Sequence, residues 1–265
     1  MLFRSHSESF DKAYKLYDLQ NQFGGGLNPT FDKDANGVEV VSPDAAYWTG
    51  GYSYGPAFDG RMVKEIDGRM IKWEANDPLD FFETGKYINT NVAIEGGSDV
   101  STFRFSYSNL MNSSVMPDNS LKRNTLSLRV TQKVGKIINI DAGISYATSK
   151  SINPQRNGSN DNPLFAFTYY RPRHVDIGYY TNNFIDPNGG YRGRANPATQ
   201  DPYALSRMAF RLFTDRRTMR ENNLIGNVDV TANVLPWLNV LVRTSGNVFS
   251  DKYERKPVLD RKSVV

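Results

Sequence analysis

Along six stretches of the chain, apolar and polar side chains alternate one for one. In 86–96, Ile88, Val92 and Ile94 share one side while Asn89, Asn91 and Glu95 share the other. In 102–109, Phe103, Phe105 and Tyr107 oppose Arg104, Ser106 and Ser108. The stretch 123–132 sets Leu126, Leu128 and Val130 against Ser127, Arg129 and Thr131. In 137–147, Ile138, Ile140, Ala142, Ile144 and Tyr146 oppose Asn139, Asp141, Gly143 and Ser145. Much later, 223–234 alternates Leu224, Val228, Val230 and Val234 against Asn227, Asp229, Thr231 and Asn233, and 238–249 places Leu238, Val240 and Val242 together. A period of two is the pattern of a strand with one apolar and one polar face. The fold class is therefore all-β.

The connections are unequal. Short turns at 97–101, 133–136 and 235–237 alternate with long loops at 11–85, 110–122 and 148–222. Alternation alone fits a soluble sandwich as well as a membrane barrel. Strands of about 8–12 residues match the tilted span of a bilayer, and short turns opposite long external loops are the bacterial barrel pattern. The expectation is an antiparallel up-and-down transmembrane β-barrel segment with long extracellular loops. Met1–Ser9 reads as the end of a seventh strand. Six or seven strands fall short of the roughly eight in the smallest single-chain barrels, and an unclosed sheet leaves unpaired edges in lipid. Residues 1–265 are thus expected to be part of a larger barrel. Within the loops, Asp77-Pro78 opens a short helix, Asp77 as N-cap. Asp201-Pro202-Tyr203 opens another, with Leu205, Met208, Ala209 and Leu212 at helical spacing.

Composition narrows the function. Mean hydropathy is -0.54 and no run reaches the roughly 18 apolar residues of a membrane helix, which a strand-crossing protein does not need. Cysteine is absent, so disulfides, Cys-ligated zinc and thiol chemistry are excluded. The start, Met1-Leu2-Phe3-Arg4-Ser5-His6, has no basic region followed by an apolar stretch. An exported protein with this start is expected to lack its own N-terminus. The two histidines, His6 and His174, lie far apart without a serine elbow and read as loop residues. Gly24-Gly25-Gly26 lacks the following Lys-Ser/Thr of a phosphate loop and reads as a flexible spacer. No catalytic constellation or cofactor motif emerges, so the chain is read as a non-enzyme. Asp32, Asp34 and Asn36 match the first half of a calcium loop, but the twelfth position is Pro43; a solvated turn is the plainer reading. Net charge is a mild +4. In 148–222, Arg171, Arg173, Arg192, Arg194, Arg207, Arg211, Arg216, Arg217 and Arg220 interleave with tyrosines. Arginines lining a barrel mouth account for this better than nucleic acid does.

Several motifs agree in order and spacing with a known family. Gly55-Pro56-Ala57-Phe58-Asp59-Gly60-Arg61, Asn76-Asp77-Pro78-Leu79-Asp80-Phe81-Phe82-Glu83-Thr84-Gly85 and Asn91-Val92-Ala93-Ile94-Glu95-Gly96-Gly97 resemble the SusC/RagA family of TonB-dependent transporters. Phe103 to Tyr107, Met116-Pro117 and Leu121-Lys122-Arg123 continue the resemblance, and Tyr17 to Gly26 is similar to the family's external segment upstream of the Gly-Pro motif. It extends from Met1 to about Phe249. The resemblance implies a large closed barrel in the outer membrane of Bacteroidota, with an N-terminal plug and a TonB box, capped by a SusD-like lipoprotein. It implies energised import of glycans or peptides. Plug, TonB box and C-terminal aromatic-ended strand have no counterpart in this sequence, so an internal barrel segment is implied, contacting the TonB complex only through the missing part.

Two functions are weighed: a segment of an outer-membrane importer, or a non-enzymatic extracellular carbohydrate-binding or adhesion β-sandwich. They differ in whether the Ile88/Val92/Ile94 and Leu126/Leu128/Val130 faces meet lipid or protein. Aromatic rings in loops offer flat apolar faces to sugars. Trp48, Tyr52, Tyr54, Tyr179 and Tyr191 are therefore the candidate substrate or lipoprotein contacts, with packing of loop against loop as the alternative use of each ring.

Overall fold

Four short strands come first: β1 (Asp32–Lys33), β2 (Glu39–Val40), β3 (Met62–Lys64) and β4 (Met70–Lys72), a small sheet within the first long connection that the sequence pattern does not predict. The alternating stretches then give β5 (Lys86–Gly97), β6 (Ser101–Ser113), β7 (Ser120–Val134), β8 (Ile138–Ile152), β9 (Arg216–Leu235) and β10 (Leu238–Lys256). These form one antiparallel sheet in which every strand pairs with its neighbours in sequence. The computed structural model describes residues 19–46, 52–154 and 171–256; Met1–Ser9 lies outside them. Among the described residues β5 and β10 each pair on one side only, so the sheet is an open meander and not a closed barrel.

Register decides which side chains meet. Ile94, Phe105, Leu128, Ile144, Gly226 and Gly246 stand opposite one another in one row across all six strands. The row two residues further toward the long loops is Val92, Tyr107, Leu126, Tyr146, Leu224 and Val248. Successive side chains point to opposite faces of a sheet, so these rows build one continuous apolar face. The opposite face is polar and cross-linked. Arg129 pairs with Asp141 at 2.5 Å, Arg243 with Asp229 at 2.7 Å and Arg104 with Glu95 at 2.6 Å. Ser127 and Ser145 share a 3.0 Å hydrogen bond, and Thr102 bonds to Thr131.

The apolar face is not covered. Val92 is 57% exposed, Ile144 49% and Val242 62%. The buried residues lie instead in the connections, the inverse of a soluble sandwich. One cluster joins Phe81, Met116, Val175, Ile177, Tyr180, Tyr203 and Leu205, and a second joins Val41, Ala45, Val63 and Trp73. These residues come from the connections before β5, between β6 and β7, and between β8 and β9. All of them lead off the same end of the sheet, so they form one cap. The tight turns lie at the other end, where 97–101, 133–136 and 235–237 were expected.

The strands outlast the alternation. The connection expected at 110–122 shortens to 114–119, and that at 148–222 shortens to 153–215. Beyond Tyr146 both faces of β8 become largely polar, so the period-two signal fades. Backbone pairing does not need that signal and continues. Asn153 staples the strand ends there: its Nδ2 donates to Asp118 Oδ2 at 2.8 Å, and its Oδ1 accepts from the Arg217 N–H at 2.9 Å.

The two expected helices form with different bounds. Pro78–Phe81 is a 3-10 turn with the Asp77 carboxylate capping the Leu79 N–H, as expected. The second helix starts later than Asp201. Among the described residues the cap holds three α-helices: α1 (Ile177–Asn182), α2 (Pro197–Gln200) and α3 (Leu205–Thr214). Asp201 still terminates α3, because its two carboxylate oxygens accept from the Ser206 and Arg207 N–H groups at 3.0 Å each. Asp176 caps α1 by accepting from the Tyr179 N–H at 2.8 Å.

Segments 22–26 and 52–58 run side by side as a backbone ribbon, with Gly24 N–H donating to the Pro56 carbonyl at 3.0 Å and Tyr54 N–H to Gly26 at 3.0 Å. A Cβ on Gly55 would lie 2.1 Å from the Gly25 carbonyl oxygen, an atom that cannot rotate away. Gly55→Ala should therefore destabilise the cap by about 1–3 kcal/mol, the usual cost of forced overpacking. Differential proteolysis of wild type and variant checks this: cleavage should rise within the cap while the sheet strands keep their protection.

Candidate functional site in the loop cap

The cap is held by a chain of buried hydrogen bonds that begins at Gly25. Its N–H donates to His174 Nδ1 at 3.0 Å. Because Nδ1 must accept, the proton of the neutral ring sits on Nε2. Nε2–H is then the donor to Tyr203 Oη at 2.8 Å, and Tyr203 O–H donates to Glu65 Oε1 at 2.8 Å. The Ile66 N–H donates to the same Oε1 at 2.8 Å. The His174 carbonyl accepts from Asn76 Nδ2 at 2.8 Å. Trp73 lies against His174 with ring centroids 4.7 Å apart, and its indole N–H donates to the Pro56 carbonyl at 3.1 Å.

His174 and Gly24-Gly25-Gly26 do lie in loops, as expected, but these loops are packed together, so the glycines are not a flexible spacer. His174 is 1% exposed. A Cβ on Gly25 would sit 2.6 Å from its ring, so the glycine is there for close approach rather than for flexibility. Only folding shows this, since 149 residues separate the two partners.

Electrostatics follow from burial. Burial pushes the Glu65 carboxyl up to about 7, against the stabilising bonds from Ile66 and Tyr203. Burial also lowers the His174 imidazole to about 3, which keeps it neutral. The phenols of Tyr203 and Tyr180 are driven upward, chiefly by burial and also by the neighbouring acids.

A second polar cluster adjoins the first. Asp67 accepts from Arg69 Nε at 2.7 Å and from Tyr180 Oη at 3.1 Å. The Arg69 guanidinium lies 3.3 Å from the Tyr179 ring centroid, and Arg192 Nη1 donates to Tyr179 Oη at 2.6 Å. Tyr179 is thus clamped between two arginines. Tyr191 is half-buried, its ring 6.2 Å from Phe210. Tyr52 and Tyr54 differ: they are exposed, the latter at 70%, and their rings stack at 6.4 Å and 26°. Trp48 lies outside the described residues. The five candidates therefore do not converge on one point, and only Tyr52 and Tyr54 form an open aromatic platform. Ser53, between them, lines a recess of about 160 Å³ together with Gln20, Asn76, Arg171, Arg173 and others.

Asp34 is committed to a turn between β1 and β2. Its Oδ1 accepts from the Asn36 and Val38 N–H groups at 2.9 and 3.0 Å, and Lys64 Nζ donates to Oδ2 at 3.1 Å. The lysine hydrogen bond, helped by those N–H groups, holds its carboxyl below the usual range. Asp32, in β1, is exposed. Among the described residues no group of three or more His, Asp or Glu side chains comes together as a metal site.

The chain matches no protein-family model and no curated protein.

The two buried groups act oppositely with pH. Glu65, raised in the fold, contributes stability below pH 4.5 that is lost as pH rises to about 7. His174, lowered in the fold, contributes stability above pH 6.5 that is lost as pH falls toward 3. Between pH 4.5 and 6.5 they oppose each other, so cap stability should be nearly flat. In Glu65→Gln the amide oxygen can accept both existing bonds, and the histidine is left unopposed. That variant should lose stability at up to about 1.4 kcal/mol per pH unit below pH 6.5, yet match or exceed wild type at pH 8. Thermal midpoints measured across pH 4–8 test this; parallel curves for the two proteins would refute it.

Proposed function

We propose that the six-stranded sheet is part of the wall of a transmembrane β-barrel in an outer membrane, belonging to a TonB-dependent importer of glycans or peptides that works with a SusD-like surface lipoprotein. The single observation that carries this reading is the shape of the uncovered apolar face. On β8 it runs from Ile138 to Tyr146 and then stops. Eight steps of about 3.3 Å span roughly 26 Å along the strand, or about 20 Å of height at barrel tilt, which fits within the roughly 25 Å apolar band of outer-membrane barrels. Its upper border is a row of polar side chains, Thr90, Asn109, Asn124, Thr148, Asn222 and Ser250, in register across all six strands. Tyr107 Oη donates to Asn124 at 2.8 Å and Tyr146 Oη to Asn222 at 3.3 Å, which puts amphipathic rings at the border. Tyrosine at an apolar–polar boundary is the habit of membrane interfaces.

The sandwich alternative needs a second sheet over this face, and none covers it among the described residues. The open edges of β5 and β10 call for further strands. The ion-paired face would line the lumen, and the cap would form the external mouth. Import, TonB coupling and the lipoprotein partner rest on the motif resemblance, with the loop cap as the surface such a partner would meet.

The lipid-facing assignment is tested by placing arginine on each face at one height. Introduced into the complete barrel that contains this segment and folded into vesicles, Ile144→Arg should destabilise it by about 2–4 kcal/mol, the cost of a cation at a barrel's midplane. Ser245→Arg, one residue before Gly246 in the same band but on the polar face, should change it by less than ~1 kcal/mol. Equal effects would remove the distinction between the faces and the membrane reading with it.

Ligand contact is tested separately. In the full-length transporter, Tyr52→Ala/Tyr54→Ala should reduce ligand uptake severalfold at matched surface expression, since one lost stacking or aromatic contact is worth on the order of 1 kcal/mol. Tyr179→Ala should act through cap stability instead. Unchanged uptake in the double variant would make the platform structural.

A further inference from the structure

One row beyond the polar border, the same face of the sheet turns cationic on β7 to β10, while the row continues as the apolar Met111 and Ile88 on β6 and β5. Lys122, Lys150, Arg220 and Lys252 stand directly opposite one another on β7, β8, β9 and β10. All four are exposed. Like charges placed directly across a sheet repel and weaken the pairing. The chain offers little to offset them. Glu254 Oε1 lies 2.7 Å from Lys252 Nζ and 3.7 Å from Arg220 Nη1, while among the described residues no acidic side chain lies within salt-bridge distance of Lys122 or Lys150. Four cations thus face one carboxylate.

The position of this row is as telling as its charge. On these four strands it lies four residues past the last apolar residue of the face, about 13 Å along the strand, or roughly 10 Å along the membrane normal at barrel tilt. The headgroup layer of a bilayer begins a few ångströms outside the hydrocarbon core. Long Lys and Arg side chains bend back toward such a boundary. We infer that Lys122, Lys150, Arg220 and Lys252 form a docking strip for the phosphates of anionic lipid headgroups in the leaflet next to the loop cap. This rests on the membrane reading of the sheet and adds the lipid class that the outer surface selects. The strip explains a register that would otherwise stack repulsion on repulsion: the neutralising partner comes from the bilayer.

The experiment folds the complete barrel that contains this segment, as wild type and as the variant Lys122→Gln/Lys150→Gln/Arg220→Gln/Lys252→Gln, into phosphatidylcholine vesicles, with and without added phosphatidylglycerol. The folded-to-unfolded ratio is read by urea titration. Allowing for Glu254, about three net charges at roughly fivefold each predict that phosphatidylglycerol raises the wild-type ratio about a hundredfold at low salt. High salt should erase the gain. The variant should show little lipid preference, and should be no less stable than wild type in pure phosphatidylcholine, since its cross-strand repulsion is gone. The same phosphatidylglycerol preference in both proteins overturns the inference. So does inorganic phosphate matching phosphatidylglycerol in phosphatidylcholine vesicles, which would make the strip a free-anion site. Failure to fold in any vesicle overturns this inference and the membrane reading together. Folding in phosphatidylcholine without a cation-dependent lipid preference overturns this inference alone.

Discussion

A strand turns successive side chains to opposite sides, so a slip of one residue in any of the five pairings would carry a strand's whole apolar set to the other face. The pairings from β5 to β10 avoid this throughout, and Ile94, Phe105, Leu128 and Ile144 meet row on row. The polar face reinforces the same register with the Arg129–Asp141 and Arg243–Asp229 pairs. Exposed ion pairs contribute little to stability individually. Here they act mainly as register marks, since each arginine meets its aspartate only in this alignment.

One consequence is that the sheet supplies no protein core. Its apolar side chains stand exposed on one face, and its other face is polar. The buried residues of the chain must come from the connections, and they do, in the clusters around Tyr203 and Trp73. A cap made of loops has few regular backbone ladders to saturate its polar groups, so side chains take that role. The run from Gly25 through His174 and Tyr203 to Glu65 joins segments far apart in sequence into one unit. Its burial is what moves the Glu65 and His174 protonation equilibria in opposite directions. Buried side-chain bonds thus tie the cap's segments together, while the exposed Tyr52 and Tyr54 remain outside the packing.

On β7 to β10 the face of the sheet is graded along its height: apolar rows, then a row of polar side chains that accept from tyrosine hydroxyls, then cations. A water-soluble surface has no reason to sort its side chains in this order. A lipid bilayer imposes the same order of hydrocarbon, interface and headgroup. The membrane reading thus draws on a gradient rather than on the apolar face alone.

Local chemistry was legible in the chain itself. Period-two alternation located all six long strands, the short turns located their hairpins, and Asp77-Pro78 located a helical turn. Each of these depends on near neighbours: side-chain direction alternates residue by residue, and a cap acts over a single turn. The strand ends past Tyr146 were not legible, because polar side chains on both faces carry no period while the backbone goes on pairing. The cap was not legible either. Gly25 and His174 look like spacer and loop until chain segments 149 residues apart come within 3.0 Å, and that approach is set by the packing of Trp73, Tyr203 and Ala45 around them. The cationic strip had the same fate. Lys122, Lys150, Arg220 and Lys252 are scattered basic residues in the sequence, and only the register of β7 to β10 makes them one row.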